Sequence, residues 1–165
     1  MSTLVTYTTK TGNTQMIAES IFEAIVGEKK INPIVETESL DGYDLVFVGF
    51  PVNMSGAPNV VKEFLQSKAQ NKRLALFITH AMAPGTPALQ PILNNCREAA
   101  KGADVVGMFD CQGILEEGVA EMLLKSPDPK LRLFGETRHM TVGHPDFMDR
   151  KRARDFTVEM QALTK

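Results

Sequence analysis

Two short runs, residues 45–50 (LVFVGF) and 74–79 (LALFIT), are apolar at nearly every position. A strand with one wet face alternates apolar and polar residues. A strand without that alternation is covered on both faces, and the usual cover is a layer of helices on each side of a parallel sheet. Three more strands are predicted at residues 4–8 (LVTYT), 31–36 (INPIVE) and 105–109 (VVGMF), and Pro33 places the second of these nearer a sheet edge. Helical spacing falls between them. Ile17, Ile21, Ala24 and Ile25 share a face over residues 14–26, and Gly27 stops that helix. Val60, Val61, Phe64 and Leu65 share one over residues 59–68. Thr86 and Pro87 read as an N-cap and first helical residue ahead of Leu89, Ile92, Leu93, Cys96 and Ala100, with Pro91 either kinking that helix or delaying its start. Ala153, Phe156, Met160 and Leu163 are in phase over a last helix at residues 149–163. The expectation is one α/β domain over residues 1–165, a three-layer α/β/α sandwich around a five-stranded parallel sheet.

A net charge of −2 offers nothing to draw the chain to nucleic acid or an anionic membrane. No run approaches the roughly 18 apolar residues a membrane span needs. The start MSTLVTYT lacks the basic and apolar regions of a signal peptide, and Cys96 and Cys111 form neither a disulfide framework nor a metal-ligand spacing. These features predict a reduced, cytoplasmic protein. Residues 112–144 stand apart: one short helix is predicted at 116–125, followed by the irregular stretch SPDPKLRLFGETRHMTVGHP. Such a stretch is either functional and mobile or an ordinary surface excursion.

The loop between the first strand and first helix, TYTTKTGNT at residues 6–14, is rich in threonine. It lies at the carboxyl end of a strand, where ligands of open α/β sheets bind, and ahead of a helix whose first N–H groups are free. Rotatable hydroxyls beside those amides suit a phosphate. The other reading is a polar turn with a threonine N-cap. Neither G-x-x-x-x-G-K-[ST] nor G-x-G-x-x-G is present.

Residues 5–21, VTYTTKTGNTQMIAESI, resemble the flavodoxin phosphate-loop signature. Val5, Tyr7, Thr9, Gly12, Thr14, Ala18 and Ile21 match it, and Thr6 departs where the family prefers an apolar residue. Residues 43–58 (YDLVFVGFPVNMSGAP) resemble the family's third strand and first flavin loop, and 77–87 (FITHAMAPGTP) fall at its second. FDCQG (109–113) and GHPDFMDRKRARDF (143–156) are similar to a subgroup of flavodoxin-like proteins from anaerobic bacteria that includes a component associated with bilirubin reduction. The resemblance implies strand order 2-1-3-4-5 with FMN at the carboxyl edge. Thr9, Lys10, Thr11, Gly12, Asn13 and Thr14 would surround its phosphate. Pro51, Val52, Asn53, Met54, Ser55 and Gly56 would lie along its ring, and Thr79, His80, Ala81 and Met82 would form the second loop. Gly56, or the Met54–Ser55–Gly56 neighbourhood, would hold the carbonyl that turns toward the flavin on reduction. The implied function is an FMN electron carrier serving a partner redox protein, docked through residues 112–144 or the basic last helix; the alternative is an NAD(P)H-dependent FMN reductase of a quinone or other small acceptor.

The chain also departs from that pattern. Flavodoxins often stack the flavin between Trp and Tyr, whereas this chain has no Trp and its tyrosines, Tyr7 and Tyr43, lie outside both flavin loops. Ring contacts then fall to Val52, Met54 and Met82, with His80 as a further candidate, and FMN either binds less tightly or keeps an open ring face. With a charge of only −2, carboxylate repulsion against the reduced flavin is weaker than in strongly acidic flavodoxins, which predicts a less negative potential. His80 reads either as a ring contact and proton carrier or as a solvated loop histidine. His139 and His144 carry no metal-ligand pattern, and residues 144–146 read as the opening of the last helix. Cys111 is either redox-active beside the flavin or a small core residue. The basic run at 149–154 is either a solvated helix face or a patch for an acidic partner.

Overall fold

A computed structural model of the chain describes residues 1–164. The apolar run at its centre forms strand β3 (Leu45–Pro51), and the side chains of this strand divide between two cores. Leu45 and Phe47 face one core, while Val46, Val48 and Phe50 face the other; all five are buried. Strand β4 (Arg73–His80) repeats the division, with Ala75 and Phe77 on one side and Leu74, Leu76 and Ile78 on the other. Strands β1 (Ser2–Tyr7), β2 (Glu28–Pro33) and β5 (Asp104–Gln112) complete a parallel sheet in the order β2-β1-β3-β4-β5. Register places Val5 beside Phe47 and Phe47 beside Ala75.

Helix α1 (Asn13–Ala24) covers one face through Ile17, Ala18 and Ile21, joined by Ala153 and Met160 of the last helix, α6 (Phe147–Ala162). Phe156 of α6 stacks on Phe109 at 5.7 Å between ring centroids and meets Phe47 edge-on at 6.1 Å. Helices α2 (Asn59–Lys68) and α3 (Leu89–Glu98) cover the other face through Val61, Phe64, Leu65, Leu89, Leu93 and Cys96. The three-layer arrangement and strand order match expectation, and no helix among the described residues is long and apolar enough to cross a membrane.

Three elements differ from expectation. Strand β2 lies three residues earlier than 31–36. Pro33 ends it for want of an N–H, and Ile34–Glu36 form a turn of 3-10 helix that buries Ile34 instead. Its polar residues Glu28, Lys29 and Lys30 are tolerated because β2 is an edge strand. Helix α3 starts after Ala88 rather than at Pro87, and Thr86 bonds back to the Ala83 carbonyl at 2.6 Å. Pro91 thus falls in the first turn, where its missing N–H costs nothing. The stretch after residue 125 is not irregular. Helix α4 (Glu117–Leu124) is followed by α5 (Pro129–Glu136) and a 3-10 turn at Thr137–Thr141. Pro129 occupies the first turn of α5, and the Asp128 carboxylate caps that helix by accepting from the Lys130 amide at 2.9 Å.

Candidate functional site

In the order β2-β1-β3 the chain leaves β1 toward one side of the sheet and β3 toward the other. The carboxyl ends of these two strands therefore open a crevice between their loops. A cavity of about 920 Å³ lies there, within the range of small-molecule and cofactor sites. Its walls include Thr9, Lys10, Thr11 and Asn13 after β1, Pro51, Val52, Asn53 and Met54 after β3, and Thr79, His80, Ala81 and Met82 around the end of β4. Gly12, Thr14, Ser55 and Gly56, also expected there, do not line it.

The loop after β1 is held open as an amide cradle. Gly12 takes a left-handed φ of 93°, a conformation costly for any residue with a Cβ, and its amide donates to Thr9 Oγ1 at 3.0 Å. The amides of Thr9, Lys10, Thr11, Asn13 and Thr14 have no hydrogen-bond partner among the described residues. Unpaired N–H groups at a helix N-terminus, with its partial positive charge, make an anion-receptive concavity. The donor set therefore fits a phosphate.

Side chains of the same loop turn to other tasks. Thr14 is fully buried and its hydroxyl pairs with that of Thr79 at 2.8 Å, tying α1 to β4. Asn13 Nδ2 donates to the Ile114 carbonyl at 3.1 Å, drawing the segment after β5 against the loop. Gly113 is where the two come closest: a Cβ there would meet Asn13 Nδ2 at 2.6 Å. The Lys10 ammonium stands 3.6 Å from the Glu116 carboxylate, and both are exposed.

Beyond β3 the chain forms a tight turn in which Asn53 and Gly56 exchange backbone hydrogen bonds of 2.9 and 3.2 Å. Gly56 is buried and its carbonyl accepts from the Asn53 amide. Met54 is the unusual residue, with a left-handed φ of 55° and a side chain 93% exposed at the cavity rim. Ser55 is exposed and its carbonyl accepts from Asn95 Nδ2 at 2.9 Å.

His80 is no solvated loop residue. Its side chain is buried, Nε2 lies 2.9 Å from Asp110 Oδ2, and Nδ1 has no partner among the described residues. A carboxylate on Nε2 makes that nitrogen the N–H donor of the neutral ring and leaves Nδ1 as a buried acceptor. Such an atom fits a ligand with an N–H on its edge, as an isoalloxazine has.

The sequence singled out residues 112–144 and a helix at 116–125 but did not place them at the cavity. Ile114, Leu115, Glu116, Val119, Met122, Leu123, Leu131 and Phe134 line the cavity, joined by Leu89 and Ile92 from α3. The helical spacing of Val119, Met122 and Leu123 was the available signal. Phe134 is the one aromatic side chain among the lining residues.

Other singled-out residues lie elsewhere. Cys111 is buried in the core under α1 and α6; burial, then the nearby Asp149 carboxylate, pushes its thiol far up, which removes the thiolate that redox chemistry needs. Burial pushes the Cys96 thiol up to about 11. His139 Nδ1 lies 2.9 Å from the Glu136 carbonyl. His144 does gain carboxylate neighbours, contrary to the sequence reading, for the fold brings Asp146 and Asp149 beside it. They are engaged as a capping box opening α6: Asp146 accepts from the Asp149 amide at 2.9 Å, and Asp149 accepts from the Asp146 amide at 3.0 Å. Asp149 also meets His144 Nδ1 and Arg152, each at 2.7 Å. Burial alone would raise the Asp149 carboxyl, but these hydrogen bonds hold it below its ordinary value. The basic run is partly neutralised within the helix, by Arg152 on Asp149 and Lys151 on Asp155.

Comparison with known proteins places this architecture. A family model described as a flavodoxin domain matches residues 4–158. The flavodoxin-like domain-containing protein BilS of Clostridioides difficile is 31% identical, the match covering 97% of this chain and 96% of that protein. Oxidised Flavodoxin 2 from Bacillus cereus superposes with a TM-score of 0.62 at 16% identity, over 98% of this chain and 99% of that one. A flavoprotein from Lactobacillus acidophilus, solved in complex with FMN, gives 0.53 at 19% identity, over 73% and 97% of the respective chains.

Proposed function

The chain belongs to the flavodoxin domain family, and from that premise we infer that it binds FMN in the cavity at the carboxyl edge of its sheet and passes electrons to a partner redox protein. The observation that carries this reading is the cradle of unpaired amides around Gly12, opening directly into a cavity of cofactor size. When bound, FMN supplies the electron-accepting chemistry and the protein supplies binding and electrostatics.

In this reading the amides of Thr9, Lys10, Thr11, Asn13 and Thr14 hold the phosphate, and Gly12 keeps the loop in the shape that presents them. Lys10 adds a positive charge whose reach is limited by Glu116. Asp110 fixes the His80 ring so that Nδ1 can accept a hydrogen bond from the edge of the isoalloxazine. Val52, Met54 and Met82 provide aliphatic and thioether contacts to the ring, which pack well without aromatic stacking. Met54, already in a left-handed conformation, takes the place of Gly56 as the point where this turn rearranges. The partner docks on the segment after β5, where Leu124, Met140 and Val142 are exposed apolar groups close in sequence to the cavity wall.

The test is a visible spectrum of the purified protein mixed with FMN and followed through stepwise anaerobic reduction. A shifted, structured flavin band is expected on mixing, and then a long-wavelength absorbance that rises and falls as electrons enter singly. Direct bleaching without that band would replace the carrier with a two-electron reductase. An unchanged FMN spectrum and no binding by calorimetry would overturn the reading.

A further inference from the structure

Helices α4 and α5 are amphipathic, yet their apolar faces belong to neither core of the sandwich. Val119, Met122, Leu123, Leu131 and Phe134 line the cavity instead. Met122 is 65% exposed and Leu131 43% exposed, so this wall presents apolar surface that the chain itself does not cover. A hairpin of two eight-residue helices has little stability of its own, and turning apolar side chains toward a water-filled space adds to the cost. Such an arrangement makes physical sense if an apolar body fills the space.

The charge pattern indicates which part of a ligand belongs there. Among the lining residues the Lys and Glu side chains are Lys10 and Glu116, both beside the phosphate loop and paired with each other. The α4–α5 wall carries none, so it suits an uncharged planar ring and not a phosphate. The two loops expected to hold the ring bring no aromatic residue to the cavity, and Phe134 does. The root of the hairpin is tied down on both sides. Asn13 bonds the Ile114 carbonyl at 3.1 Å, the Leu115 amide donates to Thr141 Oγ1 at 2.9 Å, and Arg138 Nε donates to the Leu115 carbonyl at 3.1 Å. Phosphate loop and apolar wall are therefore held in register by the segment between them.

We propose that the α4–α5 hairpin is the ring wall of the flavin site, with Phe134 as the aromatic contact for the isoalloxazine in a chain whose flavin loops lack one. This rests on the FMN reading above and extends it to residues of the segment after β5. Two consequences follow. Phe134 sets FMN affinity by packing against the ring, and FMN in turn stabilises the hairpin that covers it.

The experiment is an FMN titration by fluorescence and calorimetry on the wild-type protein, Phe134→Ala, Phe134→Leu and, as control, Leu133→Ala, whose side chain is 61% exposed and does not line the cavity. Phe134→Ala should weaken FMN binding roughly tenfold. Phe134→Leu should fall between, and Leu133→Ala should match wild type. Hydrogen exchange across residues 117–136 should slow when FMN is added to wild type, which reports on the wall without relying on any variant. Wild-type FMN binding with unchanged affinity in Phe134→Ala, and no protection of the hairpin, would overturn the proposal and leave the FMN reading standing. Failure of wild type to bind FMN would overturn both.

Discussion

Strand β3 and the α4–α5 hairpin are both rich in large apolar side chains, and they place them against different things. Phe47 and Phe50 of β3 are fully buried between helices of the same chain. Phe134 and Met122 of the hairpin face a cavity. Burial by the chain is complete before any ligand arrives, whereas burial in the cavity waits for an occupant. Stability is therefore expected to reside in the sheet and its two helical layers, and ligand response in the hairpin.

The sharpest way to break this comparison is to truncate a phenylalanine on each side. Phe47→Ala should lose about 3–5 kcal/mol in urea denaturation, since it opens a cavity in a packed core. Phe134→Ala, measured without FMN, should lose less than about half of that. Equal losses would mean that the hairpin is an ordinary part of the core.

A smaller effect is expected at the junction of the two regions, where Asp149 opens α6. Replacing its charge by Asp149→Asn weakens the bonds to His144 and Arg152 and should cost about 2 kcal/mol at neutral pH. The folded carboxyl lies below its ordinary value of 3.8, so the stability contributed by ionised Asp149 is complete above that value. It is lost as pH falls through the lowered folded value. The gap between wild type and Asp149→Asn should accordingly close below about pH 4 in acid denaturation curves. A gap independent of pH would show that geometry rather than charge holds the cap.

The smallest effect concerns the cavity rim. Met54→Gly relieves a left-handed residue at the expense of a more flexible unfolded chain, and should change stability by less than about 1 kcal/mol. A larger loss in thermal unfolding would assign the Met54 side chain a packing role that its 93% exposure does not suggest.

Much of this was legible in the order of residues. Runs without polar alternation at 45–50 and 74–79 required cover on both faces, and the helices between strands supplied it. The threonine-rich loop with Gly12 before Ile17 marked the amide cradle, because the spacing of a strand, a turn and a helix N-terminus is a local property. The loops after β3 and β4 were located for the same reason, as ends of recognisable strands.

Other features depended on contacts distant in sequence. Asp110 reaches His80 across thirty positions, and only the pairing of β4 with β5 brings them together. Thr14 looked like a ligand donor and instead bonds Thr79, sixty-five residues away, because α1 packs over the end of β4. Residues 126–145 read as irregular, yet Asp128 caps a helix that begins at Pro129. The apolar spacing of α4 could be read from residues 119–123, but not what it would face. Sequence by itself determined that five strands alternate with helices and where the amide cradle sits, since these rest on propensity and short-range hydrogen bonding. Tertiary structure alone decided which hydroxyls and imidazoles stay available and which wall closes the cavity, since those depend on which surfaces the packed sheet leaves uncovered.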